Sequence, residues 1–194
     1  MSKGRKHISI PVDMTTPVPV WCVGTYDEQD RPNVMTASWA GIVCSRPPCV
    51  AVALRDATHS CRGLQARKAF TVSVPSETQY VQADYFGMAG GKTKDKFAAS
   101  RTTAVRSDKV DAPYVAEFPL ILECELKESV VLGLHTLYVG EIMGVKAHPD
   151  ILNGDTVDAS KLAPFFFSPS ERAYYRIGER LSPAFAPGRA LMDR

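Results

Sequence analysis

Apolar and polar positions alternate along much of the chain with the two-residue period of a β-strand. In residues 69–74, the apolar Phe70, Val72 and Val74 alternate with hydroxyl-bearing residues, which is typical of a half-buried strand. Other runs rich in Val, Ile, Leu, Trp and Tyr predict strands at 18–25, 33–43, 50–54, 119–127, 129–134 and 136–148. The polar segment 27–32 ends in a proline and predicts a hairpin between the first two of these strands.

Helical spacing is confined to the middle of the chain. Cys61, Leu64 and Gln65 recur at helical intervals behind a Thr or Ser cap and predict a helix over 58–68. A second helix is predicted over 78–88, and 92–99 is expected to be a short helical or irregular piece. Because strands and helices do not alternate regularly, we expect a mainly β, α+β fold rather than a doubly wound parallel sheet. An antiparallel barrel or sandwich with a few peripheral helices fits this order of elements.

Composition and charge narrow the class of protein. The 194 residues include 23 Lys+Arg and 21 Asp+Glu, a formal net charge of +2. We expect one domain over residues 1–194, with a core at about 14–150 and an aromatic C-terminal segment, 151–194, that packs on the barrel or on a partner subunit. Nucleic-acid binders normally present a basic face, so no nucleic-acid partner is expected. No apolar run approaches the roughly 18 residues that span a bilayer, and no signal-peptide pattern is present, which favours a cytoplasmic protein without a membrane partner.

The residue types that form disulfides or bind metals show no organised spacing. Five cysteines cannot all pair within one chain, and none belongs to a CxxC motif. We expect all of them to be reduced and buried as small apolar residues: Cys22, Cys44, Cys49, Cys61 and Cys124. The four histidines also lack the spacing of metal ligands, so no metal site is assigned.

The strand over residues 33–41 is a first candidate for ligand binding. Its two-residue period places Thr36 and Ser38 on one face of an otherwise apolar strand. Hydroxyl groups need hydrogen-bond partners when they are buried, and a bound polar ligand would supply them. The small neighbours Ala37 and Ala40 would let such a ligand approach the backbone. The alternative is an edge strand whose hydroxyl groups face water.

The start of the predicted helix at 58–68 is a second candidate. Arg55 ends the preceding strand, and Thr58, His59 and Ser60 open the helix. A helix start presents unpaired N–H groups and the positive end of the helix dipole. Together with a guanidinium and two hydroxyl groups, this arrangement suits a phosphate monoester. The alternative is that Thr58 or Ser60 only caps the helix and that Arg55 is a solvated charge.

The order of several short motifs along the chain resembles that of a known family. These are Asn33-x-Met35-Thr36-x-Ser38-Trp39, Pro47-Pro48, Thr58-His59-Ser60, Phe70-Thr71-Val72-Ser73-Val74-Pro75, Asp95-Lys96-Phe97 and Gly133-x-His135-x-x-Tyr138-Val139-Gly140-Glu141. The series resembles the flavin reductase-like, FMN-binding split-barrel family, which includes flavoredoxins. The resemblance runs from about Met14 to His148 and, more loosely, to Gly178.

The resemblance implies a homodimer of split β-barrels, each of which binds one FMN near the subunit interface. It places the flavin along the first candidate strand, at Asn33, Met35, Thr36, Ala37, Ser38 and Trp39. Arg55, His59 and Ser60 would hold the phosphate, with Lys92 or Lys96 near the phosphate or the polar edge of the ring. His135 would lie close to the flavin, and Tyr174 or Tyr175 would cover the ring.

The resemblance also implies a redox function in which the cofactor performs the chemistry. We expect an oxidoreductase that uses NADH or NADPH to reduce its flavin and then a small acceptor, and we assign no catalytic residue. Two alternatives remain open. One is a flavoredoxin-type electron carrier that receives electrons from a protein partner, and the other is a related split barrel that binds a different ligand such as haem.

Overall fold

The computed structural model describes residues 16–192, so residues 14 and 15 of the predicted core lie outside the described part. The strands are β1 Val18–Pro19, β2 Trp21–Tyr26, β3 Pro32–Ala37, β4 Ala40–Ser45, β5 Pro48–Arg55, β6 Ala69–Val74, β7 Ala104–Arg106, β8 Pro113–Val115, β9 Leu120–Leu132, β10 His135–Ala147, β11 Leu152–Asn153, β12 Thr156–Val157, β13 Phe165–Ser168 and β14 Ala173–Arg176. The α-helices are α1 His59–Arg67, α2 Tyr80–Met88, α3 Lys96–Ser100 and α4 Ala159–Leu162. Short 3₁₀ turns lie at Glu77–Gln79, Pro149–Ile151 and Pro187–Leu191. Within residues 16–192, no helix is long and apolar enough to cross a membrane.

Seven strands form one antiparallel sheet in the order β3-β2-β6-β9-β10-β5-β4. The strands at its two edges, β3 and β4, follow each other in the chain and are joined only by Ser38 and Trp39. The three peptide steps from Ala37 to Ala40 span at most about 11 Å, so the two edges must meet at this end. The N–H of Ala53 on β5 also donates to the Trp39 carbonyl at 2.8 Å. The expected mainly β fold, a split antiparallel barrel with a few peripheral helices, is confirmed.

Three predicted strands differ from the observed ones. Residues 33–43 were expected to form one strand, but the chain breaks at Ser38 and continues as the opposite edge of the sheet. Residues 119–127 and 129–134 were expected to form two strands, but they form the single 13-residue β9. The polar residues around Glu128 do not end β9, because this part of the strand is exposed and stays paired with β10 on both sides of a one-residue bulge at Lys127.

The sheet buries side chains on both of its faces. The inner cluster includes Val23, Leu64, Phe70 and Tyr138. On the outer face, helices α2 and α3 and a small sheet of order β1-β13-β14 cover a second cluster, whose members include Val20, Cys22, Val34, Phe86, Phe97, Val115, Phe118 and Phe165. Because Cys22 and Val23 are both fully buried, β2 has apolar neighbours on each side. Helices are therefore needed over the outer face of this part of the sheet.

Helix α1 connects β5 to β6 and confirms the helix predicted over 58–68. It buries Cys61 and Leu64 against the barrel, as their spacing predicts. A Cβ atom on Gly63 would lie 2.1 Å from the carbonyl oxygen of Tyr26. Only glycine lets the helix approach β2 this closely, and this approach fixes the position of the helix start.

Four of the five cysteines are buried, as expected, but the expectation is wrong for Cys44. It lies on the edge strand β4 and is exposed, because β4 has a neighbour on one side only. In the C-terminal segment, Phe165 and Ser168 are buried and pack on the outer face of the barrel. Residues 175–192, by contrast, are all exposed in the single chain.

Candidate functional site

The start of helix α1 is held by a tight turn that follows β5. The N–H of Thr58 donates to the Arg55 carbonyl at 2.9 Å, which turns the chain from the strand into the helix. Thr58 occupies the N-cap position, but its side chain makes no capping hydrogen bond, and the first turn of α1 contains no acidic residue. N–H groups at a helix start normally need such acceptors. This helix start is therefore free to receive an anion.

A buried hydrogen bond joins the helix start to the first candidate strand. The side-chain amide of Asn33 on β3 donates to the Ser60 hydroxyl at 2.7 Å, and both residues are almost completely buried. The two groups of residues that were singled out separately in the sequence therefore meet in one place. Their meeting depends on barrel closure, which brings β3 next to the helix that follows β5.

His59 is oriented by a carboxylate that the sequence analysis treated only as part of a turn. Nε2 of His59 lies 3.4 Å from a carboxylate oxygen of Asp27. Burial would raise the pKa of Asp27, but hydrogen bonds from the backbone N–H groups of Arg31 and Gln29, and from the Arg31 guanidinium, outweigh it and lower this pKa. Asp27 is thus an anion that can hold the imidazole. The Asp27–Arg31 spacing was visible in the sequence, but only the folded hairpin places it beside His59.

The glycine-rich segment after α2 forms the opposite wall of the site. A Cβ atom on Gly91 would lie 2.3 Å from Oδ1 of Asn33 and 3.1 Å from the His59 ring. Glycine is therefore required there for close packing against both residues. At Gly90, by contrast, a Cβ atom would meet nothing within 4 Å, so this part of the wall is open.

Two adjoining clefts of about 260 Å³ each lie between these elements. Both are lined by Asn33, His59, Gly91 and Lys92. The first cleft also has Met35, Ser60, Phe86, Gly87, Gly90 and Lys96 in its wall. The second cleft is more polar and is lined also by Asp27, Arg31, Lys94 and Asp95. Of the predicted site residues, the structure thus brings together Asn33, Met35, His59, Ser60, Lys92 and Lys96.

Lys96 is the most deeply buried cation in this group. Its ammonium group donates to the carbonyl oxygens of Val34 at 2.8 Å and Phe86 at 2.9 Å, and the residue is 4% exposed. Burial lowers the pKa of Lys96 to about 8. The resemblance implied a position for this residue near the phosphate or the polar edge of the ring. In the structure it lines the first cleft while it joins β3 to the end of α2.

The remaining residues of the first candidate strand do not face one common surface. The Thr36 hydroxyl donates to the Ala83 carbonyl on α2, so it already has the partner that a ligand was expected to supply. Ala37 is buried. Ser38 and Trp39 lie in the connection between β3 and β4, with Trp39 partly exposed. Period-two alternation could not locate these two residues, because the strand ends before them.

Four other predicted residues lie outside the walls of the two clefts. Arg55 ends β5, is exposed, and stands opposite His135 in the antiparallel pairing of β5 with β10. The Tyr174 hydroxyl donates to the Asp84 carboxylate on α2 at 2.7 Å. Tyr174 and Tyr175 line a separate surface cavity with Glu77 and Tyr80. The positions of the two tyrosines depend on the long-range packing of the C-terminal segment, which no local pattern specifies.

The residues of the two clefts fit a ligand with one phosphate and a planar ring. Lys92 offers a cation, and His59 and the uncapped start of α1 offer N–H donors suited to a phosphate. Met35, Phe86 and the open backbone at Gly90 offer an apolar wall with room for a ring system. Ligand sites commonly combine a mostly apolar wall with a few placed polar groups.

Comparison with known proteins assigns the chain to a family. The model of a family described as "Flavin reductase like domain" matches residues 14–167. The chain belongs to this family. The resemblance inferred from the short sequence motifs is thereby confirmed.

Several relatives of this flavin reductase-like chain are informative. Flavoredoxin of Desulfovibrio vulgaris (Miyazaki F) is 44% identical, with a TM-score of 0.90 over 95% of this chain and 100% of that chain. An FMN-binding protein from Thermus thermophilus, solved with bound 1-cyclohex-2-enone, shares the fold at 22% identity, with a TM-score of 0.76 over 94% of this chain and 100% of that chain. An uncharacterized protein of Archaeoglobus fulgidus is 32% identical over 116 residues, which are 60% of this chain and 66% of that relative. The match thus spans slightly less than two thirds of that relative's length.

Replacing Lys96 by Met should change the pH dependence of stability. The folded-state pKa of about 8 lies below the ordinary value of 10.5, so between these pH values the unfolded chain binds more protons than the folded one. The free energy of unfolding of the wild type, relative to Lys96→Met, therefore rises with pH across this window, by on the order of 1 to 3 kcal/mol. Urea unfolding at a series of pH values measures the difference.

The exposed Lys94 provides the control for this experiment. Lys94→Met removes the same charge from the neighbouring loop. Between pH 8 and 10.5, its free energy of unfolding should change with pH in the same way as that of the wild type. If the free energy of unfolding of Lys96→Met also changed with pH in the same way as that of the wild type, the proposed effect of burial on Lys96 would be wrong.

Proposed function

We propose that the protein is an FMN-binding oxidoreductase that takes hydride from NADH or NADPH and passes electrons on to a small acceptor. The observation that carries this proposal is the pair of clefts formed by Asn33, His59, Gly91 and Lys92 at the uncapped start of α1. The family assignment over residues 14–167 supports the flavin. A cytoplasmic location and a single functional domain complete the proposal, and the five free thiols agree with a reducing compartment.

The side chains of the site have binding and orienting tasks. Bound FMN would supply the reversible hydride and electron chemistry, so the protein need only position it. His59, Ser60 and Lys92 would hold the phosphate at the helix start. Asp27 would keep the imidazole of His59 turned toward this position. Met35 would exclude water from one side of the ring.

A flavoredoxin-type electron carrier is the second candidate. It is favoured by the 44% identity to flavoredoxin of Desulfovibrio vulgaris (Miyazaki F) over nearly the whole chain. A carrier of this type would hold FMN in the same clefts, but it would receive electrons from a protein partner. The two candidates differ in whether a nicotinamide nucleotide reduces the bound flavin directly.

Anaerobic mixing of the FMN-loaded protein with NADH or NADPH separates the two candidates. If the protein is an oxidoreductase, the flavin absorption band bleaches rapidly, because hydride transfer reduces the ring. Stopped-flow absorbance measures the rate, with free FMN at the same concentration as the control. A rate no faster than that of free FMN would favour the carrier. Failure of the purified protein to take up FMN would contradict both candidates.

The expected role of Arg55 at the phosphate needs its own test, because this residue ends β5 outside the walls of the two clefts. If its guanidinium reaches the phosphate from the strand side of the helix start, Arg55→Ala should weaken FMN binding by about 1.5 to 3 kcal/mol, the usual strength of a charge-assisted hydrogen bond to phosphate. Binding of riboflavin, which lacks the phosphate, should hardly change. Fluorescence titration of both ligands measures the difference. Arg46→Ala is the matched control, because it removes the same charge in the turn before β5, a strand length of roughly 25 Å away.

Lys92→Ala in the same titration tests whether the phosphate lies on the cleft side of the helix start, near Lys92, or on the strand side, near Arg55. Lys92 lines both clefts, whereas Arg55 lies beside His135 at the end of β5. A loss of FMN affinity in Lys92→Ala but not in Arg55→Ala would place the phosphate on the Lys92 side and contradict the predicted role of Arg55. Equal losses for FMN and riboflavin would exclude a phosphate contact for either residue.

We also propose a homodimer in which the C-terminal arm, residues 177–192, packs on a second copy of the chain. In the single chain, the arm exposes Ile177, Leu181, Phe185, Leu191 and Met192, with Leu181 and Phe185 at 101% and 93%. Large apolar side chains exposed together commonly mark an interface. The resemblance to a dimeric family agrees with this arrangement.

Replacing Leu181 and Phe185 together by Ser should weaken dimerisation at least about tenfold, because burial of each side chain is worth about 1.5 to 3 kcal/mol. Glu179→Ser with Arg180→Ser is the matched control, since it changes the same segment without altering net charge. Sedimentation velocity over a concentration series measures both variants. A wild type that remains monomeric, or two variants that behave alike, would contradict the role of the arm.

A further inference from the structure

Two cysteines face each other across the hairpin formed by β4 and β5. Cys44 and Cys49 are direct partners in the antiparallel register, next to the pair Ser45 and Pro48 that closes the turn. Directly opposed residues in an antiparallel ladder have Cα atoms about 4.5 to 5.5 Å apart and side chains on the same face. Disulfides require Cα separations of about 4.4 to 6.8 Å. The backbone of this hairpin therefore meets the main geometric condition for a disulfide.

Both sulfur atoms lie over the same turn. The Cys44 thiol donates to the Arg46 carbonyl, with an Sγ–O distance of 3.3 Å, and the Cys49 thiol donates to the Pro47 carbonyl at 3.4 Å. These two carbonyl groups belong to consecutive residues. Burial, followed by the adjacent Cys44 and by Glu141, raises the pKa of Cys49.

The two thiols differ in accessibility. Cys44 is exposed on the edge strand, whereas Cys49 is 8% exposed beneath it. The other three cysteines are buried at 2% exposure or less, and none of them is paired with another cysteine in the strand register. A reagent in solution can therefore reach Cys44 first, and Cys49 stands opposite to resolve the product.

We propose that Cys44 and Cys49 form a reversible cross-strand disulfide by exchange with small disulfides. The Cys44 thiolate attacks one sulfur of the small disulfide, which forms a mixed disulfide and releases one small thiolate. The Cys49 thiol loses its proton to solvent and attacks the Cys44 sulfur, which releases the second small thiolate. Two protein thiols are oxidised, one small disulfide is reduced, and the two released thiolates take up two protons.

The disulfide acts where the sheet has the least other support. β4 is the last strand of the seven-stranded sheet and pairs only with β5. Through Ser38 and Trp39 it continues into β3, which carries Asn33 and Met35 of the clefts. A covalent link from Cys44 to Cys49 would hold this edge to its neighbour. The proposal does not depend on bound FMN, so it stands or fails independently of the proposed function.

The test treats the flavin-free full chain with oxidised glutathione, then denatures it and counts thiols by alkylation and intact mass. The wild type should fall from five free thiols to three without a glutathione adduct, and a reducing agent should restore all five. Cys44→Ser should keep its four thiols, because Cys49 is buried. Cys49→Ala should acquire one stable glutathione, because Cys44 then has no resolving partner.

Three outcomes would overturn the proposal. They are a wild type that keeps five thiols, a wild type that ends with a stable glutathione adduct, and a wild type that becomes cross-linked to a second chain. Cys44→Ser changes an exposed residue and is expected to fold. The wild type and this variant therefore decide the question even if the buried substitution Cys49→Ala prevents folding.

Discussion

The short connection through Ser38 and Trp39 is the constraint on which the rest of the structure depends. It joins the two edge strands of a seven-stranded sheet, so the sheet has to curl until its edges meet. Closure brings β3 beside the end of β5 and therefore beside the helix that follows β5. The buried hydrogen bond between Asn33 and Ser60 can form only in this arrangement. The site is thus a product of barrel topology more than of any local motif.

The charges of the site are arranged so that a small excess of positive charge remains at the helix start. Asp27 is the nearest anion, but backbone N–H groups and the Arg31 guanidinium already satisfy it. Lys96 donates to two carbonyl groups within the protein and contributes mainly to joining β3 and α2. His59, Lys92 and the first-turn N–H groups remain for a ligand. That set matches one phosphate better than a polyanion, in agreement with the net charge of +2.

The sequence predicted the class of fold and the two segments that build the site. Strand periodicity and a Thr at the N-cap position of a helix are local signals, so β6 and α1 were placed nearly correctly. The break after Ala37 could not be predicted, because both halves of 33–43 have strand character and only closure of the sheet separates them. The partner of Thr36 is the Ala83 carbonyl on α2, which the chain reaches only after three further strands. Lys96 likewise joins carbonyl groups of β3 and α2 that are distant from it in the chain. The positions of Asp27 beside His59 and of Tyr174 beside Asp84 likewise depend on contacts that are distant in the chain.

The same closure places the edge hairpin that carries Cys44 and Cys49 directly after a strand of the site. A strand inside a sheet is held by two neighbours, and a covalent link there adds little to its position. β4 has one neighbour and continues within two residues into a wall of the clefts. β4 and this wall therefore share one connection of two residues, which fixes how far apart they can lie. The opposed thiols of Cys44 and Cys49 lie at the other end of β4, beside the turn into β5.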